Sequence, residues 1–322
     1  MTSKSPIFLI SMLCVLGANK AANAVESMNK WWPPAAHQEV AIWPHVAPDM
    51  TGISQPRESI VLTTGQDVVA GRPYTYIQNV SSPTMTIFRP SGHNTGVAVV
   101  VFPGGGFEGL AIDLEGSEVC DWVTTKGITC VVLKYRVPKS NDQYHSKCKC
   151  HRTPKILRSL QDAQRVIRLV RSQAKGLGVD PARIGVIGFS AGGYLVAQTS
   201  NMFEGVYRPI DDIDQVSSRP DFAIAVYPGH IWRSPGFKMD PALHVTEKTP
   251  PTMLVQAWDD DVDGVNQTLV YAHALEEAGV STEVHLFAKG GHAFGLRPTE
   301  NPVSQWPALA EGWMREIGVL KK

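Results

Sequence analysis

From residue 76 onward, short apolar runs alternate with longer amphipathic stretches. Thr84-Met-Thr-Ile-Phe88 alternates polar and apolar positions, as a half-buried strand does. Residues 97–102, 128–133, 184–189, 222–227 and 253–257 are continuous apolar runs rich in Val and Ile, and 284–288 adds a later strand. Runs unbroken by polar residues suit parallel strands covered on both faces. Between them, Leu160, Ala163, Ile167 and Val170 recur at helical spacing, with Asp162, Arg165, Arg168 and Arg171 outside that stripe. Trp306, Leu309, Trp313, Ile317 and Leu320 repeat the spacing near the end of the chain. This order predicts an α/β fold in which helices flank a mostly parallel central sheet. Active sites of such sheets lie beyond the carboxyl ends of the strands.

The preceding segment differs. Residues 25–57 are rich in Pro and Trp (Trp31, Trp32, Pro33, Pro34, Trp43, Pro44, Pro48), with few periodic apolar positions. They read as an extended arm laid over the body and anchored by its tryptophans. Ahead of it, Lys4 precedes an apolar run at 7–16 that is too short to span a bilayer, and Ala22-Asn23-Ala24 has the small-x-small form of a cleavage site. The expected organisation is an export signal at 1–24, an arm at 25–75 and a catalytic body at 76–322. A secreted or periplasmic protein without a membrane anchor follows from it.

Lys and Arg together number 30, as do Asp and Glu, so no basic footprint points to nucleic acid or anionic lipid. A neutral substrate is the simpler expectation. Beyond the leader, four cysteines remain: Cys120, Cys130, Cys148 and Cys150. An exported chain can pair them in three ways that sequence does not separate, and Cys130, inside an apolar run, also reads as a buried thiol. His145, Cys148, Cys150 and His151 sit close together, but Cys-x-Cys is tighter than the two to four intervening residues usual for zinc. No metal or other cofactor is expected. Nothing in the sequence indicates an oligomeric state.

The chemistry concentrates in three glycine-flanked turns. The run 184–189 leads into Gly188-Phe-Ser190-Ala-Gly192-Gly193, a G-x-S-x-G turn between a strand and a helix. Such a turn holds Ser190 in a strained conformation, and side chains at 188 and 192 would strike the neighbouring strand and helix. The hydroxyl is thereby displayed at a helix N-terminus, where the dipole favours developing negative charge. Pro103-Gly-Gly-Gly106-Phe107 follows the run 97–102, which suits Gly105 or Gly106 as a backbone donor to an oxyanion, beside the N–H of Ala191. A serine also needs a base, and the base an orienting carboxylate, here expected after the serine in the order acid, then histidine. His292, in Gly290-Gly-His-Ala-Phe-Gly295, is the best-placed base, with His230 the rival and His285 read as a packing residue. Of the run Asp259-Asp-Asp261, Asp259 is the first choice for the acid and Asp260 the second. Phe107, Tyr135, Tyr194, Trp258 and Phe294 flank these segments and read equally as core or as walls of a substrate cleft.

From about residue 82 to 320 the chain resembles the α/β-hydrolase esterases of the acetyl xylan esterase and feruloyl-esterase-like group. The resemblance rests on Val101-Phe-Pro-Gly-Gly-Gly-Phe107, Lys134-Tyr-Arg-Val-Pro138, Leu160-Gln-Asp-Ala-Gln164, Asp180-Pro-Ala-Arg-Ile184, the serine turn and Gly290-Gly-His-Ala-Phe-Gly295. It implies a nucleophile at Ser190, an acid at Asp259, a base at His292, and oxyanion donors at Gly105 or Gly106 and at Ala191. No histidine precedes the Gly104-Gly-Gly106 run, and Phe189 stands where hormone-sensitive-lipase-like relatives carry Asp, which points away from that branch. The basic loop at 140–152 departs from the pattern and bears on specificity. The implied activity is hydrolysis of a small ester or an acylated plant polysaccharide such as xylan, by removal of acetyl or feruloyl groups. Alternatives are a general short-chain carboxylesterase, a serine peptidase of the same fold, and a non-catalytic carbohydrate-binding module. Peptidases of this kind usually carry a large extra domain, and the arm is too short to form one.

Overall fold

The protein is described here through a computed structural model, which covers residues 32–34, 37–52, 54, 56–65, 68–137 and 155–321. The expected export signal and the loop at 140–152, with Cys148 and Cys150, lie outside the described residues. Thirteen strands appear among those described. They are β1 (Glu39–Ala41), β2 (Ser59–Leu62), β3 (Thr75–Gln78), β4 (Thr84–Phe88), β5 (Ala98–Phe102), β6 (Gly109–Ala111) and β7 (Thr129–Lys134). Then come β8 (Ile184–Phe189), β9 (Ala223–Val226), β10 (Trp232–Arg233), β11 (Lys238–Met239), β12 (Thr252–Ala257) and β13 (Thr282–Phe287). The helices are α1 (Glu118–Thr125), α2 (Leu157–Ser172), α3 (Ala174–Leu177), α4 (Ala191–Asn201), α5 (Asn266–Glu277) and α6 (Trp306–Glu316). None of the described helices is long and apolar enough to cross a membrane.

Eight strands form one sheet in the order β1-β4-β7-β5-β8-β9-β12-β13. β1 and β4 are antiparallel to their neighbours, and every pairing from β7 to β13 is parallel. The apolar runs of the sequence fall on these strands within one or two residues. β5, β7, β8, β9 and β12 are buried along their whole length, the condition that continuous Val and Ile runs require. β5 and β8 pair so that Phe102 lies opposite Gly188, which brings the glycine cluster after β5 beside the serine turn after β8.

The arm does more than lie on the body. β1 extends the main sheet at its edge, while β2 and β3 join β6 in a separate three-stranded sheet. Trp43 is its anchor, with Nε1 donating to Asp162 Oδ1 at 2.8 Å. That contact changes the reading of α2. Asp162, Arg165 and Arg168, expected on its solvent face, are buried. Arg136 donates from Nε to both Asp162 oxygens, and Arg165 pairs with Asp211 at 2.6 Å and Asp214 at 2.9 Å. The charges tolerate burial because each is paired and hydrogen-bonded. The amphipathic stripe is real, but both of its sides are covered.

Of the cysteines, Cys120 on α1 and Cys130 on β7 form a disulfide, and both are buried. The bridge closes a short loop between a helix and the strand it packs against. Replacing both cysteines with alanine is expected to lower stability by roughly 2–3 kcal/mol, read as a Tm several degrees lower in calorimetry. An unchanged Tm would remove the bridge as a stabilising element.

Candidate active site

The serine turn has the predicted form. Ser190 begins α4 with φ 51° and ψ −120°, a region a serine occupies only under constraint. The constraint is steric. A Cβ on Gly188 would lie 2.2 Å from the carbonyl oxygen of Gly192, and one on Gly192 would lie 2.0 Å from that of Phe102. Only glycines let the strand, the turn and β5 approach so closely. Gly104 is equally confined, since a Cβ there would sit 2.6 Å from the Phe189 oxygen and 2.9 Å from the Ser190 Cβ. Phe107, Tyr227, His230 and Ala293 also have positive φ. Strain of this kind gathers where surrounding structure fixes a site.

His292, in the loop after β13, places Nε2 at 2.9 Å from Ser190 Oγ. Its Nδ1 lies 2.8 Å from Asp260 Oδ2. Because a carboxylate only accepts, Nδ1 carries the hydrogen and Nε2 is left to accept from the serine hydroxyl. Asp260, the second choice from sequence, thus holds the position expected of Asp259. Asp259 turns the other way, and its Oδ1 accepts from the amides of Gly290 and Gly291 at 2.9 and 2.8 Å. It shapes the histidine loop without touching the ring. Asp260 is buried and fixed by Gln256 Nε2 and by the amides of Val262 and Asp263, whereas Asp259 is exposed. His230 lines the cavity but packs its ring against Phe107 and Tyr194, and His285 meets Glu283 on β13.

Burial alone would depress the His292 pKa. The hydrogen bond to Asp260 and the negative charges of Asp263, Asp260 and Glu115 outweigh it, and the pKa lies above its ordinary value. Glu115 escaped the sequence reading. It sits in a π-helical turn, Asp113–Ser117, wholly within the core. Its Oε2 accepts from the Gly104 amide at 2.7 Å and its Oε1 from the Tyr227 hydroxyl at 2.8 Å. That hydroxyl in turn accepts from the Gly295 amide at 3.1 Å. One carboxylate therefore ties the glycine cluster to the histidine loop. Burial raises the Glu115 pKa, against the opposing effects of Tyr227, His292 and the Gly104 amide.

Ser190 and His292 open onto a cavity of about 450 Å³, which Gly105, Gly106, Glu115 and Asp263 also line. The Gly104 amide is taken by Glu115, and Gly105 and Gly106 are the glycines of that cluster that share the cavity lining with Ser190. Of the five aromatics proposed as walls, none lines this cavity. Phe107, Tyr135, Tyr194 and Phe294 are buried and Trp258 is exposed. Tyr135 and Tyr194 spend their hydroxyls on the Pro103 carbonyl and on Asp240. The wall is built instead by Tyr74 and Tyr76, beside and on β3, with the Tyr76 hydroxyl donating to the Gly105 carbonyl at 2.9 Å. They come from the small sheet, which sequence patterning had left within or next to the arm.

Residues 120–317 match the prolyl oligopeptidase family profile, a span from within α1 to the end of α6. The chain belongs to the prolyl oligopeptidase family. Within reach of this family member is an acetylxylan esterase of Xylanibacter ruminicola, 30% identical over 236 residues, covering 66% of this chain and 44% of that protein. An endo-1,4-beta-xylanase B of Butyrivibrio fibrisolvens is 24% identical over 302 residues, covering 87% of this chain and 44% of that protein. The chain thus spans less than half the length of these curated relatives. Among solved structures, an acetyl ester-xyloside bifunctional hydrolase from Caldicellulosiruptor lactoaceticus superimposes with a TM-score of 0.67 at 30% identity, over 88% of this chain and 97% of that one. A propionate-bound esterase of Thermogutta terrifontis gives a TM-score of 0.61 at 25% identity, over 75% and 92%. The α/β-hydrolase fold that the resemblance implied is the fold of this prolyl oligopeptidase family chain.

The geometry predicts that Ser190 reacts with a fluorophosphonate, which labelling reads directly. Asp260→Asn is expected to slow labelling by about 10³–10⁴-fold, and Asp259→Asn to slow it far less. Equal losses would contradict the assignment of Asp260. Labelling needs neutral His292, so its rate should rise with pH, with the half-rise above 6.5 because the pKa is raised from that value. A half-rise below it would contradict the electrostatics.

Proposed function

We propose that this chain is a secreted serine esterase that deacetylates plant polysaccharide, xylan above all. The observation that carries the reading is the unbroken relay from Asp260 through His292 to Ser190, which opens onto a cavity that Gly105 and Gly106 also line. His292 takes the serine proton as Oγ attacks the ester carbonyl, and Asp260 stabilises the imidazolium that forms. The N–H groups of Ala191 and of Gly105 or Gly106 receive the oxyanion. His292 then protonates the leaving alcohol, and water repeats the sequence to free acetate from the acyl-enzyme.

The substrate rests on likeness. Two relatives at 30% identity are an acetylxylan esterase and an acetyl ester-xyloside bifunctional hydrolase, and the second is matched over nearly its whole chain. They favour an esterase over the peptidase that the family name suggests. The Cys120–Cys130 disulfide supports export, since such bridges persist in oxidising compartments.

Release of acetate from acetylated xylan, compared with hydrolysis of p-nitrophenyl acetate, tests the reading. Both should proceed in the wild type and fall by roughly 10⁴–10⁶-fold in Ser190→Ala. Turnover of the small ester alone would reduce the protein to a general carboxylesterase. Cleavage of peptide substrates without acetate release would favour the peptidase.

A further inference from the structure

A third carboxylate stands beside the reacting atoms, and beyond its charge acting on His292 the relay gives it no part. Asp263 is buried in the wall of the cavity, with Oδ2 at 3.4 Å from Ser190 Oγ and 3.8 Å from His292 Nε2. Its backbone is pinned on both sides, the amide donating to Asp260 Oδ1 at 2.9 Å and the carbonyl accepting from Gln256 Nε2 at 2.8 Å. The carboxylate lies so close to Gly229 that a Cβ there would come within 2.5 Å of Oδ2. Its position is therefore a built feature of the site. By itself a negative charge here opposes an oxyanion forming on the same carbonyl, so a benefit has to come from elsewhere in the substrate.

The direction of proton transfer says where. Nε2 delivers its proton to the departing alcohol oxygen, so a group close to Nε2 but off the line to Ser190 borders the leaving alcohol. A hydroxyl on the carbon next to the ester carbon lies within hydrogen-bond reach of that oxygen. We propose that Asp263 accepts a hydrogen bond from a vicinal hydroxyl of the leaving alcohol, making the site selective for monoesters of vicinal diols. A singly acetylated sugar unit is such a monoester. The inference rests on the esterase reading above and names what that site recognises. The hydroxyl keeps its proton throughout. The ester C–O bond breaks as the Ser190 Oγ–acyl bond forms, and the serine proton passes through Nε2 to the leaving oxygen. An alcohol without the hydroxyl, or with it methylated, presents no donor to the carboxylate and loses a charge-assisted bond.

Three acetates that share a ring isolate the effect: the monoacetate of vicinal trans-cyclohexanediol, its methyl ether, and plain cyclohexyl acetate. Acetyl migration in the first regenerates the same compound. The wild type should favour the hydroxyl ester over both others by about 10- to 100-fold in kcat/KM. In Asp263→Asn the preference should collapse towards unity. Any change that this variant makes to His292 is common to the three esters and cancels in the ratio. Asp263→Ser repeats the measurement should the amide not fold. A wild type without preference, or a variant that keeps it, overturns the role of Asp263. If the turnover also persists in Ser190→Ala, the esterase reading falls with it; if it vanishes there, only the role of Asp263 is lost.

Discussion

Three backbone segments meet behind Ser190 at distances that leave no room for a side chain, and the catalytic end depends on that contact. The carbonyl of Phe102 at the end of β5 fills the space of a Gly192 Cβ, the carbonyl of Gly192 that of a Gly188 Cβ, and the carbonyl of Phe189 that of a Gly104 Cβ. Close approach accompanies the positive-φ conformation of the serine, and the same approach brings the glycine cluster beside it. The serine and the candidate oxyanion donors are therefore fixed by one steric arrangement.

A buried polar set carries that arrangement to the histidine loop. Glu115 costs free energy as a carboxyl in the core, and such groups survive where every oxygen has a partner. Here the partners are the Gly104 amide and the Tyr227 hydroxyl, which reaches the Gly295 amide. Asp260 does the same on the other side, holding His292 with one oxygen and its own turn with the other. The loops after β5, β12 and β13 are thus tied to their surroundings by hydrogen bonds from two buried carboxyl groups.

The arm shows a comparable division. Trp43 joins Asp162 of α2 and its partner Arg136, and the segment of β2 and β3 brings Tyr74 and Tyr76 to the cavity. A segment that reads as a loosely attached strap in fact completes an edge of the main sheet and one wall of the site. Its short strands escape periodicity because three or four residues give too few alternations to register. Of the aromatics flanking the catalytic turns, Phe107, Tyr135, Tyr194 and Phe294 lie in the core, because strand-adjacent rings fill space between sheet and helix, while Trp258 is exposed.

What the sequence determined by itself was whatever local geometry dictates. The parallel strands showed as unbroken apolar runs. The serine turn showed as glycines at fixed offsets between a strand and a helix, and His292 as the histidine in a glycine loop after a late strand. The choice between Asp259 and Asp260 was decided only in three dimensions. The two are adjacent, but the turn after β12 sends one side chain to the Gly290 and Gly291 amides and the other to the imidazole. Glu115, Asp263, Tyr74 and Tyr76 were likewise invisible, since each earns its place from atoms far along the chain. Spacing records which residues share a turn or a face. Which carboxylate meets which ring depends on how loops from different strands pack, and that was settled by the tertiary fold.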